Sequence, residues 1–155
     1  MVSLRVLNSY EKPDLCGRCD GACCKSMPGA SIPSDFGNDE PEIRDKLLEL
    51  LHGGEWAIDW WEGDARDEKY DLDKTYFIRP ATVGTARLMD PSWGGRCVFL
   101  GEQGCRIFDN RPSGCRGLEP GESGSCEVRY SGKQDCAIGW IPFQKTIIDL
   151  IDILS

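Results

Sequence analysis

Cys16-Gly17-Arg18-Cys19-Asp20-Gly21-Ala22-Cys23-Cys24 places four cysteines within nine residues, two of them adjacent. What these thiols do decides how the rest of the chain folds, because they act as cross-links, as redox groups or as metal ligands. Five more follow at Cys97, Cys105, Cys115, Cys126 and Cys136. In a secreted chain nine cysteines would suggest a disulfide framework. The odd count, the tight spacing and the absence of an export signal in the first residues fit that poorly. A reducing cytoplasm keeps thiols unpaired, and unpaired thiols that do nothing are an oxidation liability. Metal ligation protects them and puts them to structural use, so all nine are candidate ligands.

The spacing supplies a mechanism. A C-x2-C turn lets two side chains of one loop reach one tetrahedral ion, and two thiols from a distant hairpin close the shell and tie the two segments together. Side chains of adjacent residues diverge, so Cys23 and Cys24 point to more than one ion or to a cluster. Eight cysteines would fill two four-thiolate zinc sites, four would hold one 4Fe–4S cluster, and nine would supply a polynuclear zinc cluster with bridging thiolates. All three stay open. An all-thiolate zinc site is anionic and is stabilised by positive groups and N–H donors. Arg18, Lys25, Arg96, Arg106 and Arg116 each stand within two residues of a cysteine, with Arg111 close by; the alternative is that they only solubilise. Arg111 and Arg116 are weak evidence for an anionic ligand.

With 155 residues, 40% hydrophobic, the chain suits one domain over 1–155 with a real core, thinned by 18 glycines and 9 prolines. The cysteine motifs occupy 16–24 and 97–136, and 25–95 reads as a variable spacer. A net charge of −8 argues against a general nucleic-acid or anionic-membrane surface. No stretch is long and apolar enough for a membrane span. The expectation is a cytoplasmic protein whose partner, if any, is another protein.

Between the motifs, residues 1–15 read as an extended lead-in and 16–40 as an irregular segment. PEIRDKLLELLHGG predicts a helix near 41–52: Pro41 stands in the first turn, Ile43, Leu47, Leu50 and Leu51 share a face, and Gly53-Gly54 stops it. Trp56 to Trp61 and Thr75 to Pro80 read as strands, and the acidic stretch Glu62 to Asp73 as a solvated loop. Arg96 to Phe108 suggests a hairpin around Gly-Glu-Gln-Gly with Cys97 on one strand and Cys105 on the other. Asp109 to Arg116 reads as a turn presenting Cys115. A final helix from about Pro142 to 154 sets Ile147, Leu150, Ile151 and Leu154 on one side. The fold class is therefore α+β: a small irregular domain with a short antiparallel sheet and a few helices, pinned by cysteine-ligated metal.

The C-x2-C-x3-C-C run at Cys16 to Cys24, followed by C-V-F-L at Cys97, G-C-R-I-F at Cys105 and R-P-x-x-C-R from Arg111 to Arg116, resembles the YkgJ-type cysteine-cluster family of zinc- or iron-chelating domains. The family pattern is usually written C-x2-C-x2-C-C; here one extra residue precedes the pair, slightly altering ligand geometry. The resemblance implies a metal-binding domain with ligands at Cys16, Cys19, Cys23, Cys24, Cys97, Cys105 and Cys115. Cys126 and Cys136 match less clearly, and one of them reads as a spare thiol. Some relatives carry the domain beside flagellin lysine methylation, but nothing in this chain resembles a methyl-donor site.

Catalytic residues are scarce. His52 is the one histidine and sits at a helix end, where a surface role outweighs ligation. No Gly-x-Gly-x-x-Gly or Walker-type phosphate loop occurs. Trp56, Trp60 and Trp61 could line a pocket, but clustered tryptophans are more often core. Three readings follow: a zinc-bound structural or protein-interaction module, which is favoured; an iron–sulfur protein with a redox or sensing role; and a metal-dependent enzyme or metal-handling protein with an open coordination position.

Overall fold

Helix α1, Glu40–His52, forms where the sequence places it, and its ends show why. The Asp39 side chain accepts from the Glu42 N–H at 3.0 Å and Pro41 occupies the first turn, satisfying an orphan donor and presetting φ. At the other end Gly54 takes φ +83°, a conformation that glycine adopts without strain. Ile43, Leu47 and Leu51 are buried. The computed structural model that reveals this architecture describes residues 29–66, 72–83, 88–90, 96–101, 104–107, 110–113, 119–120, 126–127 and 130–155. The expected lead-in at 1–15 and the Cys16 to Cys24 run lie outside the described residues.

Strands β1 (Trp56–Glu62) and β2 (Lys74–Pro80) pair antiparallel, with Ile58 opposite Ile78 and Trp60 opposite Tyr76. The alternation at 56–61 is weak because both faces are covered at one end: Trp56, Ala57, Ile58 and Asp59 are all buried. The loop between the strands starts at Gly63, with φ +78°. Part of the acidic stretch is not a solvated loop. Asp64 turns inward against Arg66, with Oδ2 and Nη2 2.7 Å apart, and Thr75 Oγ1 accepts from the Ala65 N–H.

The open edge of β2 is closed by other parts of the chain, which removes a template for unwanted strand pairing. Ser31 N–H donates to the Ile78 carbonyl at 3.0 Å. Further along, the Gln144 side chain takes the Tyr76 N–H at 2.8 Å and donates to the Tyr76 carbonyl at 2.9 Å. The β1 edge holds Leu88 to Asp90 through Ile58.

Helix α2 (Tyr130–Gly139) was not expected, since Gly132 and a polar first half hide it in the sequence. Packing supplies what propensity does not: Cys136, Ala137 and the following Trp140 are buried. A 3-10 turn at Ile141–Phe143 leads into α3 (Gln144–Leu154), which buries Ile147 and Leu150 and leaves Ile148 and Ile153 exposed. The expected start near Pro142 falls in that turn.

One hydrophobic cluster unites Leu47, Ile58, Phe77, Ile78, Trp140, Ile147 and Leu150 with Cys97 and Cys136. Phe36 meets Trp56 edge-on at 5.3 Å and Trp140 at 5.8 Å. Trp56 is thus core, whereas Trp60 lies at the surface beside Tyr76, with the Lys74 ammonium 4.4 Å from its ring centre. The class is α+β: among the described residues, three α-helices and short antiparallel strand pairs.

Beneath the hairpin lies a feature with no sequence warning. Arg79 is fully buried. Its Nε donates to Asp59 Oδ2 at 2.9 Å, its Nη1 to the Pro80 carbonyl at 2.9 Å and its Nη2 to the Asp90 carbonyl at 2.6 Å. Asp90 Oδ2 stands 3.3 Å from the same guanidinium and accepts from Thr82 Oγ1 at 2.9 Å.

Candidate metal centre

Thr82 links this buried ion network to the first described thiol, because it forms an antiparallel bridge with Cys97. Val83 N–H donates to the Arg96 carbonyl and Val98 N–H to the Ala81 carbonyl, so the stretch carrying Cys97 is held along the continuation of β2. Cys97 itself is buried.

The expected hairpin is present but shorter than predicted. Strands β3 (Leu100–Gly101) and β4 (Gly104–Cys105) pair with Leu100 opposite Cys105. Cys105 lies on a strand and is half-buried. Cys97 does not: it precedes β3 and its carbonyl accepts from the Leu100 N–H in a turn at 3.1 Å. The chain turns at 97–100 because pairing with Ala81 to Val83 competes for the same backbone. Both thiols still border the one core, Cys97 within it and Cys105 packed against it.

The flanking arginines brace this loop instead of only solubilising it. Arg96 Nη2 donates to the Leu100 carbonyl at 3.1 Å, and Arg106 Nη2 to the Val98 carbonyl at 2.9 Å and to Glu55 Oε2 at 3.1 Å. The Arg106 guanidinium also lies 5.5 Å from the Phe99 ring centre.

Cys126 falls on strand β6 (Cys126–Glu127), opposite Pro120 of β5 (Glu119–Pro120). Cys136 lies on α2, buried, and burial together with the charges of Asp35 and Asp135 pushes its thiol up to about 11. Cys115 lies outside the described residues, as do Cys16, Cys19, Cys23 and Cys24. The segment leading to Cys115 is visible as far as Ser113, and Asn110 N–H closes a turn onto the Ile107 carbonyl.

Ser113 is gripped by a residue that sequence reasoning passed over. Asp35 ends the 3-10 turn Pro33–Asp35. Its Oδ1 accepts from Ser113 Oγ at 2.8 Å, and its Oδ2 accepts from the Ser113 N–H and the Ile32 N–H, each at 2.9 Å. Ser113 stood inside the R-P-x-x-C-R motif and could have been suspected; Asp35, in the nominal spacer, gave no signal.

The donor chemistry fits a soft metal. The buried carboxylates are engaged: Asp59 and Asp90 by Arg79, Asp64 by Arg66. Among the buried side chains described, the thiols of Cys97 and Cys136 are donors that suit a metal, and thiolates select zinc and iron over hard cations. Among the described residues no three His, Cys, Asp or Glu side chains gather as a metal site requires. His52, exposed at the end of α1, belongs to no such group.

A comparison with protein families matches residues 15–137 to the CxxCxxCC family, described as a putative zinc- or iron-chelating domain. The chain belongs to this family. The matched region of the CxxCxxCC domain spans all nine cysteines and the six strands among the described residues, whereas α3 lies beyond it. No curated protein and no solved structure matches the chain. A CxxCxxCC domain binds metal, and in this one every described thiol except that of Cys126, whose strand alone is defined, borders the central core. Among the described residues no helix is long and apolar enough to cross a membrane.

Proposed function

We propose that this CxxCxxCC domain binds zinc through cysteine thiolates from its two motifs, and that the metal serves as part of its core in a structural or protein-interaction module. The observation carrying this reading is the match over residues 15–137, which takes in both motifs. The candidate ligands are Cys16, Cys19, Cys23, Cys24, Cys97, Cys105, Cys115, Cys126 and Cys136.

Zinc is favoured over iron on chemical grounds. It needs no cluster-assembly machinery, and closed four-thiolate sites are its usual structural form. Bound zinc supplies a cross-link that the loops and short strands cannot supply by packing. The chain's own residues prepare for it: the bridge to Thr82 and the arginine contacts to Val98 and Leu100 fix the Cys97 to Cys105 loop. A protein partner suits the net charge of −8 better than nucleic acid does, and a cytoplasmic setting keeps the thiols reduced.

The test is anaerobic purification followed by elemental analysis and a visible spectrum. Colourless protein with stoichiometric zinc is the expected result. A brown protein with iron and acid-labile sulfide would replace zinc with an iron–sulfur cluster and the structural role with a redox one. A non-protein ligand on the zinc would favour an open, reactive site.

A further inference from the structure

We infer that Asp35 is a positioning residue for the metal site, holding the Arg111-Pro112-Ser113 segment against the 3-10 turn at Pro33–Asp35 so that the chain entering Cys115 starts from a fixed place. The inference rests on the metal-binding reading above and goes beyond it by assigning a role to a carboxylate that is not itself a ligand.

The geometry is specific. Asp35 and Ser113 are 78 residues apart, yet both carboxylate oxygens are used on Ser113, one on the hydroxyl and one on the N–H. The second oxygen also takes the Ile32 N–H, which leaves the carboxylate little capacity to bind a metal as well. Hydrogen bonds to an ionised acceptor are stronger than neutral ones. Pro112, next to Ser113, is fully buried, so the segment is fixed by packing and by polar contact.

The turn that carries Asp35 is itself anchored beside α2. A Cβ placed on Gly139 would stand 3.5 Å from Pro33 Cδ and 3.6 Å from Ile32 Cγ2, ordinary contact distances. Trp140 Nε1 donates to the Ser31 carbonyl at 2.7 Å. Cys136 lies one helical turn before Gly139 on α2, and Trp140 follows directly. The turn carrying Asp35 therefore stands between two elements: the Arg111-Pro112-Ser113 segment, held by the Asp35 carboxylate, and the end of the helix bearing Cys136, met by Ser31, Ile32 and Pro33.

The role is tested on the whole protein with Asp35→Ala, Asp35→Asn and Ser113→Ala, and with Glu49→Ala on the exposed face of α1 as control. Each is purified anaerobically, loaded with zinc and challenged with a chelator, then reloaded with cobalt(II), whose thiolate charge-transfer bands report the number of bound sulfurs. Removing residues that orient metal ligands typically costs 10–100-fold in affinity. Asp35→Ala is expected to lose zinc at least tenfold faster and to show weaker cobalt–thiolate bands, with Ser113→Ala moving both readouts the same way by less. Asp35→Asn should fall between wild type and Asp35→Ala, because its one remaining oxygen can still accept from Ser113. Wild-type spectra and chelator kinetics in Ser113→Ala and Asp35→Asn would overturn the inference, and these gentle variants decide the matter if Asp35→Ala fails to fold. Wild-type protein that binds no metal would instead refute the reading on which the inference depends, and the inference with it.

Discussion

Replacing Arg79 by methionine should cost this protein about 3–5 kcal/mol of stability, the usual penalty for removing one partner of a buried ion pair. Methionine keeps much of the side chain's volume, so the change is electrostatic before it is steric. In the native protein Arg79 is fully buried, and Asp59 and Asp90 are only 4% and 2% exposed. Without the guanidinium Asp59 retains the Trp60 N–H at 2.7 Å and Asp90 retains Thr82 Oγ1 at 2.9 Å. Two buried negative charges then lose the cation they share, and the Pro80 and Asp90 carbonyls lose the Arg79 donor. For a chain of this length each kcal/mol moves Tm by roughly 2–4 °C, so the expected drop is roughly 6–20 °C. Urea unfolding of the metal-loaded protein, followed by far-UV circular dichroism, gives the free energy, and an unchanged urea dependence shows that the same structure is unfolding. Adding Asp59→Asn to Arg79→Met should recover about 1–2 kcal/mol, because a buried neutral amide costs less than a buried unpaired charge. A loss below about 1 kcal/mol for Arg79→Met, or no recovery in the double variant, would refute the assignment of this network as the electrostatic centre of the hairpin. Because Thr82 bonds to Asp90 and bridges to Cys97, Arg79→Met should also speed zinc loss.

Cys16→Ser and Cys97→Ser are each expected to lower bound metal and Tm, and chelation of the wild type should lower Tm as well, since the binding energy of a structural metal is also folding energy; elemental analysis and thermal melts check both, and unchanged values in both variants would defeat the ligand assignment. Trp140→Phe removes the Nε1 hydrogen bond to the Ser31 carbonyl while keeping a ring, so a loss of about 1–3 kcal/mol is expected, against about 3–5 for Trp140→Ala; equal losses would mean that the hydrogen bond dominates. Asp64 is held below its ordinary value of 3.8, chiefly by the Arg66 side-chain hydrogen bond. A carboxylate depressed in the folded state stabilises it above the unfolded value, and that contribution fades as pH falls through the folded one. Carbon-detected NMR titration should therefore find its midpoint below 3.8 in the wild type and nearer 3.8 in Arg66→Ala.

Local patterns carried much of this structure. Helix α1 was legible because its N-cap, proline, apolar spacing and glycine stop all lie within one short stretch. Strands β1 and β2 were legible from their aromatic and β-branched residues, and the hairpin turn from Gly-Glu-Gln-Gly. Helix α2 was not, since its stability comes from burying Cys136 and Ala137 beside the rest of the core. The position of Cys97 was also misjudged, because pairing with Thr82 draws it out of the hairpin that sequence symmetry suggested.

Sequence alone determined which donors the chain offers: nine thiols in two clusters, a residue type that favours a soft metal. The tertiary structure decided which residues support those thiols. A buried arginine between two aspartates and a carboxylate gripping a serine 78 residues away leave no local pattern, because their partners meet only when distant segments pack. The energy of each contact depends on the water excluded around it, and that exclusion is a property of the folded whole.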